Sequence, residues 1–158
     1  MGKPFTVSRE TIVLAPPEAV RGLLDDFHAW RAWSPWEDLD PDMERTYSGP
    51  DSGVGARYAW DGNKRAGRGT MELTGVQPHR VDVAVAFEKP FPSRSRVEFV
   101  LTPQEGETHV EWFMRGELGL VQQAFALVKP MDELMGPDLE RGLANLKAQA
   151  ETEAGSVA

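Results

Sequence analysis

Between residues 42 and 118 the chain repeats one pattern: a short run with an apolar residue at every second position, then a turn. That repetition constrains the fold more than any other feature. VDVAVAF puts Val81, Val83, Val85 and Phe87 on one face, and VEFVL does the same for Val97, Phe99 and Leu101. THVEWFMRG sets Val110, Trp112 and Met114 against His109, Glu111 and Arg115; RYAW offers Tyr58 with Trp60, and GTMELT offers Met71 with Leu73. Clusters of Gly, Pro, Asp and Asn separate the runs, as in Ser48-Gly49-Pro50-Asp51 and Asp61-Gly62-Asn63. Alternation with one polar face predicts an antiparallel sheet covered on one side only. Short links make sequence neighbours spatial neighbours. With PFTVSRETIVL (residues 4 to 14) as a first strand, the expectation is a seven-stranded meander. The alternation of that first strand slips between Val7 and Ile12, which predicts a bulge or a change of facing partner and leaves the direction of Arg9 open.

One segment has the right stripe to cover the apolar face. Met131, Met135, Leu139, Leu143, Leu146 and Ala150 recur at three- and four-residue steps, the signature of an amphipathic helix. Burial contributes roughly 1.5–3 kcal/mol for each large side chain of such a stripe. Gly136-Pro137 predicts a kink, because proline cannot donate to the carbonyl of Glu133. The tail after Glu151 is expected to fray. Ala15-Pro16-Pro17-Glu18 ends the first strand and opens a helix carrying Val20, Leu23, Leu24 and Phe27, which fades near His28. The order is therefore strand, helix, long meander, long terminal helix, with no internal repeat and no linker. One α+β domain over residues 1–158 is expected, with an ordered core at about 4–152.

Composition narrows the functions. The formal net charge is −8, from 17 basic against 25 acidic residues, which disfavours nucleic acid and anionic membrane surfaces as partners. No run approaches the ~18 apolar residues of a membrane span, and the opening MGKPFTVSRE lacks the apolar run of a secretory signal. A cytoplasmic protein is expected. The chain has no cysteine, hence no thiolate chemistry. His28, His79 and His109 are far apart and show no zinc spacing, so no metal and no cofactor are expected. Glu37, Asp38, Asp40, Asp42 and Glu44 lack the glycine and final glutamate of a calcium loop and read as a solvated acidic stretch.

The strand followed by APPEAV, the WRAWSPW segment, the GRGTM and THVEW strands and the ending PMDELMGPDLERGLANLKAQAE resemble the START-like (SRPBCC) superfamily. Within it they are most similar to the polyketide cyclase/dehydrase-like branch. The resemblance covers about residues 4 to 152. It implies a helix-grip fold, in which a curved antiparallel sheet wraps around the final helix, with one or two short helices after the first strand. It also implies an apolar cavity between the two, used for lipids, polyketides or similar molecules in such proteins, and in a minority for cyclisation or dehydration.

The inward positions then become candidate ligand contacts: Tyr58, Trp60, Met71, Leu73, Phe87, Phe99, Trp112 and Met114 from the sheet, with Phe125, Met131, Met135 and Leu139 from the helical side. Methionine suits a wall that repacks around its guest. Trp30, Trp33 and Trp36 concentrate three of the five tryptophans in seven residues. Their acidic neighbours argue against a membrane anchor; Trp33 and Trp36 are expected to close one end of the cavity, with Trp30 in the core. The chemistry signal is thin: Tyr58 as a hydrogen-bond donor and Arg9 as a buried cation are the catalytic candidates. The leading expectation is a binding protein for a hydrophobic small molecule, monomeric or homodimeric. The alternatives are a cofactor-independent cyclase/dehydratase and a protein-interaction module akin to chaperone co-regulators.

Overall fold

A computed structural model describes residues 3–37, 40, 42–64, 66–89, 92–118 and 131–157. Strand β1 (Lys3–Val13) leads into helix α1 (Pro17–Leu24) and the single turn α2 (Phe27–Trp30). Six strands follow: β2 (Glu44–Ser48), β3 (Arg57–Asp61), β4 (Arg68–Gln77), β5 (Arg80–Lys89), β6 (Ser93–Gln104) and β7 (Glu107–Leu118). Helix α3 (Met131–Val157) comes last. All seven strands form one antiparallel sheet in the order β1-β7-β6-β5-β4-β3-β2. The meander is therefore as the alternation implied, and β1 joins β7 to place the start of the chain beside α3.

The expected bulge in β1 is absent. Pairing with β7 runs from Lys3 opposite Leu118 to Val13 opposite Thr108 without an offset. Directly paired residues share a face, so Arg9, opposite Trp112, occupies an inward position between Val7 and Thr11. The apparent slip is a cation at a site the pattern reserves for an apolar residue. Register shifts lie instead in the β4–β5 ladder, between Arg68 and Gly69 and between Leu73 and Gly75. Such irregularities bend a strand and increase its twist, which curls the sheet.

Leu73, Val81, Phe99, Val110 and Trp112 on the sheet, and Leu139, Leu143, Leu146 and Ala150 on α3, are all essentially inaccessible to solvent. The helix continues through Pro137 and, rather than fraying after Glu151, extends to Val157. Two glycines let it approach closely. At Gly142 a Cβ would lie 2.7 Å from the Trp112 ring and 2.9 Å from the Pro35 ring. At Gly136 a Cβ would collide with the Arg9 guanidinium.

Polar ties hold α3 along β1. Arg9 donates to both carboxylate oxygens of Asp132, at 2.9 and 3.0 Å, and to Glu140 at 3.0 Å. Further along, Lys147 donates to the carbonyl of Ile12 (2.7 Å), and the Leu14 amide donates to Glu151 (2.9 Å). Glu151 is held below the usual carboxylate range by those hydrogen bonds from Leu14 and Lys147.

Two expectations follow from this packing. Gly→Ala in an exposed helix normally stabilises by about 1 kcal/mol; at Gly142 the sign should invert, with a loss of about 1–3 kcal/mol from overpacking. Urea denaturation reads this, and an unchanged or raised midpoint means that the helix can back away. The hydrogen bond from Arg9 lowers the Asp132 pKa, so the Asp132 clamp is complete above the ordinary carboxylate range and is lost as pH falls through the lowered value. Asp132→Asn should therefore lower Tm near about pH 7 and converge with wild type in strong acid. A gap between the two that is constant with pH would contradict this.

Candidate functional site

The concentration of tryptophans resolves into two roles. Asp26 caps α2, its side chain accepting from the His28 amide, and the chain then turns under α1. A helix leaves its last carbonyls without intrahelical partners. Here the Trp33 indole donates to Leu23 O (2.8 Å) and the Trp30 indole to Leu24 O (2.9 Å), at the end of α1. Both rings are buried and pack edge-on against Phe99. Trp36 differs: it is half-buried, and its indole donates to Asp138 of α3 at 3.3 Å.

Trp36 stands on the wall of a cavity of about 190 Å³ between the sheet and α3. Tyr58, Trp60, Met71, Phe87 and Met114 form its sheet side, with Val85; Met135 and Asp138 of α3 stand across from them, and Ser34, Glu37, Met43 and Ala66 close it from the loops. Trp60 packs edge-on against Phe87 with ring centroids 5.4 Å apart. Its indole donates to the carbonyl of Ala66, which fixes the β3–β4 turn against the cavity. Tyr58, Met71 and Met114 are buried, whereas Trp36, Trp60, Phe87, Met135 and Asp138 are only partly so. The space thus has a deep end and a solvent-facing end.

Its polar centre is Glu37. The side chain is 8% exposed and accepts from Arg45 Nε at 2.7 Å and from the Tyr58 hydroxyl at 3.0 Å. Burial, and then the adjacent carboxylate, push the Tyr58 phenol above its ordinary pKa, so it stays protonated and donating. The hydrogen bond to Glu37 likewise raises the pKa of Arg45. Tyr47, paired with Tyr58 across β2 and β3, has its phenol pushed up mainly by burial, and its buried hydroxyl has no partner among the described residues.

A larger open groove, about 990 Å³, runs over the opposite face of the sheet past Glu72, Arg94, Arg96 and Arg115. It is a charged surface, and Arg115 there is already paired with Glu98 at 2.7 Å. Among the described residues no group of three His, Cys, Asp or Glu side chains is placed to hold a metal ion. Among them, too, no helix is long and apolar enough to cross a membrane.

The profile of one family, described as polyketide cyclase/dehydrase and lipid transport, matches residues 4–151. The chain belongs to that family. Membership implies a cavity for hydrophobic ligands without naming one. Among curated proteins no sequence relative matches. Solved structures show the same helix-grip architecture. The TTHA0849 protein of Thermus thermophilus is 20% identical, with a TM-score of 0.70 over 95% of this chain and 99% of that one. Norcoclaurine synthase of Thalictrum flavum, solved as a point mutant with a transition-state analogue, is 11% identical, with a TM-score of 0.70 over 97% and 98%. The MLL2253 protein of Mesorhizobium loti is 21% identical, with a TM-score of 0.66 over 94% and 98%. At these identities the likeness concerns the fold.

The residues singled out from sequence divide by depth. Trp36, Tyr58, Trp60, Met71, Phe87, Met114 and Met135 stand on the cavity wall. Trp33, Leu73, Phe99, Trp112 and Leu139 lie in the packed interior behind it. Phe125 and the side chain of Met131 lie outside the described residues. Arg9 faces inward but is taken up by Asp132 and Glu140, away from the cavity. Glu37, read from sequence as part of a solvated acidic stretch, is buried instead. The available signal was Arg45, whose single positive charge follows that run of acids.

Removing one partner of a buried ion pair strands the other, at a cost of about 3–5 kcal/mol, whereas replacing both with apolar residues is far milder. Arg45→Met should therefore destabilise strongly, and Glu37→Leu with Arg45→Met and Tyr58→Phe, which leaves no partner of the carboxylate stranded, should recover most of the loss in denaturant titrations. Additive losses would mean that the pair is effectively hydrated.

Proposed function

We propose that the chain binds an apolar small molecule in the cavity between β3, β4, β5, β7 and α3. One observation carries the reading: within the grip of sheet and helix, about 190 Å³ is left unfilled although the surrounding interior is packed. Protein interiors otherwise keep few voids larger than a water molecule. Met71, Met114 and Met135 give that wall adaptable surfaces, and Trp36, Trp60 and Phe87 give it flat aromatic ones. Desolvation of the guest supplies the affinity, and the Glu37–Tyr58 pair supplies polar contacts that fix its orientation.

A cyclase or dehydratase is the second reading, favoured by the same pair. A protonated phenol and a carboxylate 3.0 Å apart on an apolar wall become, once the phenol O–H turns from Glu37 to the guest, a donor for a ketone oxygen and an acceptor for an adjacent carbon-bound proton. Arg9 takes no part, its guanidinium being held on the flank of α3. For the interaction-module reading the structure offers little: the exposed large apolar side chains identified are Leu14 and Val54, on separate loops.

Native mass spectrometry of the freshly purified chain and titration with the neutral naphthalene dye prodan test the binding reading. Prodan fluorescence should rise on saturable binding, and Ala66→Leu, which intrudes on the cavity, should weaken it at least roughly tenfold, or about 1.4 kcal/mol. Absence of uptake by the wild-type chain would remove the proposal. Turnover of a model polyketone, lost in Tyr58→Phe and Glu37→Gln with prodan binding retained, would establish the second reading.

A further inference from the structure

The donors and acceptors of the cavity wall are unequally engaged. The Trp36 indole N–H is used on Asp138, the Trp60 indole N–H on the Ala66 carbonyl, and the Tyr58 hydroxyl on Glu37. Ser34 is the remaining side-chain wall donor among the described residues: its oxygen accepts from the Trp36 amide at 3.3 Å, which leaves its single O–H to donate. Arg45 and Arg141 bind Glu37 and Asp138 from outside the wall and do not line it. The buried Trp112 indole, which has no partner among the described residues, also lies behind the wall.

The acceptors are in surplus. An ionised carboxylate offers about four lone-pair sites and no donor. Glu37 takes side-chain donors from Arg45 and Tyr58, and Asp138 from Trp36 and Arg141. Both carboxylates line the cavity, Glu37 being buried and Asp138 partly buried. The same wall carries aromatic rings, with Tyr58 and Trp60 stacked at 6.0 Å and Trp60 against Phe87 at 5.4 Å. Such faces attract cations through their negative quadrupole. The net charge of −8 adds a long-range potential of the same sign.

We infer that the cavity, taken as the binding site proposed above, selects guests bearing a protonated amine on a compact apolar body and rejects carboxylates. The ammonium donates to Glu37 or Asp138 while the body rests on the methionines and aromatic rings. A carboxylate in the same place meets two acceptor-only carboxylates, whose paired arginines stand behind the wall, with the Ser34 hydroxyl as its one remaining side-chain donor on the described wall, and an under-compensated buried charge is heavily penalised.

Three compounds sharing one body isolate the head group: 2-naphthylmethylamine, 2-naphthylmethanol and 2-naphthoate, each titrated by prodan displacement from the full-length chain near about pH 7. The amine should bind tightest and the naphthoate weakest, at least roughly tenfold apart. Asp138→Asn, a change at a partly exposed position that should leave the fold intact, should narrow that gap. Equal affinities, tighter binding of naphthoate, or a gap unaffected by Asp138→Asn together with Glu37→Gln would overturn the inference and leave the cavity standing. Failure of prodan and of all three naphthalenes to bind would overturn the cavity reading, and this inference with it.

Discussion

The structure depends on a mismatch of widths. A helix with its side chains is about 10 Å across, whereas seven strands spaced about 4.8 Å apart span close to 30 Å. One helix cannot cover such a sheet. Curling the sheet through the irregular β4–β5 ladder narrows the gap, and the turn carrying Trp30 and Trp33 fills another part of it. What is left, beside Trp36 and Met135, is the cavity.

Placing that remainder requires the helix to be fixed sideways. Arg9, Lys147 and Glu151 tie α3 to β1 and to the residue that follows it, at one margin of the sheet. The margin formed by β2 and β3 meets no comparable tie from α3 among the described residues. It is there that Tyr58, Trp60 and the buried Glu37–Arg45 pair stand. The polar chemistry therefore sits where helix cover runs out. Arg45 and the Tyr58 hydroxyl supply the partners that make the buried carboxylate tolerable.

Much of the architecture was legible in the sequence, because strand alternation and the stripe from Met135 to Ala150 are direct consequences of backbone geometry. Alternation reveals which face a residue occupies and nothing about its depth. Met71 and Leu73 share a strand and a face, yet one stands on the cavity wall and the other lies behind it. Trp33 and Trp36 part ways for a similar reason: the end of α1 supplies a carbonyl to one indole, and Asp138 supplies an acceptor to the other. Arg9 broke the pattern without a bulge, because its partners lie more than 120 residues along the chain. Glu37 looked like one acid among several until the fold brought Tyr58 and Arg45 to it.

Gly142 and its neighbours carry one more implication. The backbone of α3 there rests directly on Trp112 and Pro35, so any of the three can diverge only in concert with the others. The methionines around the hollow border open space on one side and tolerate exchange for apolar residues of similar volume. A lineage descending from this chain would thus keep its grip while its choice of guest drifts.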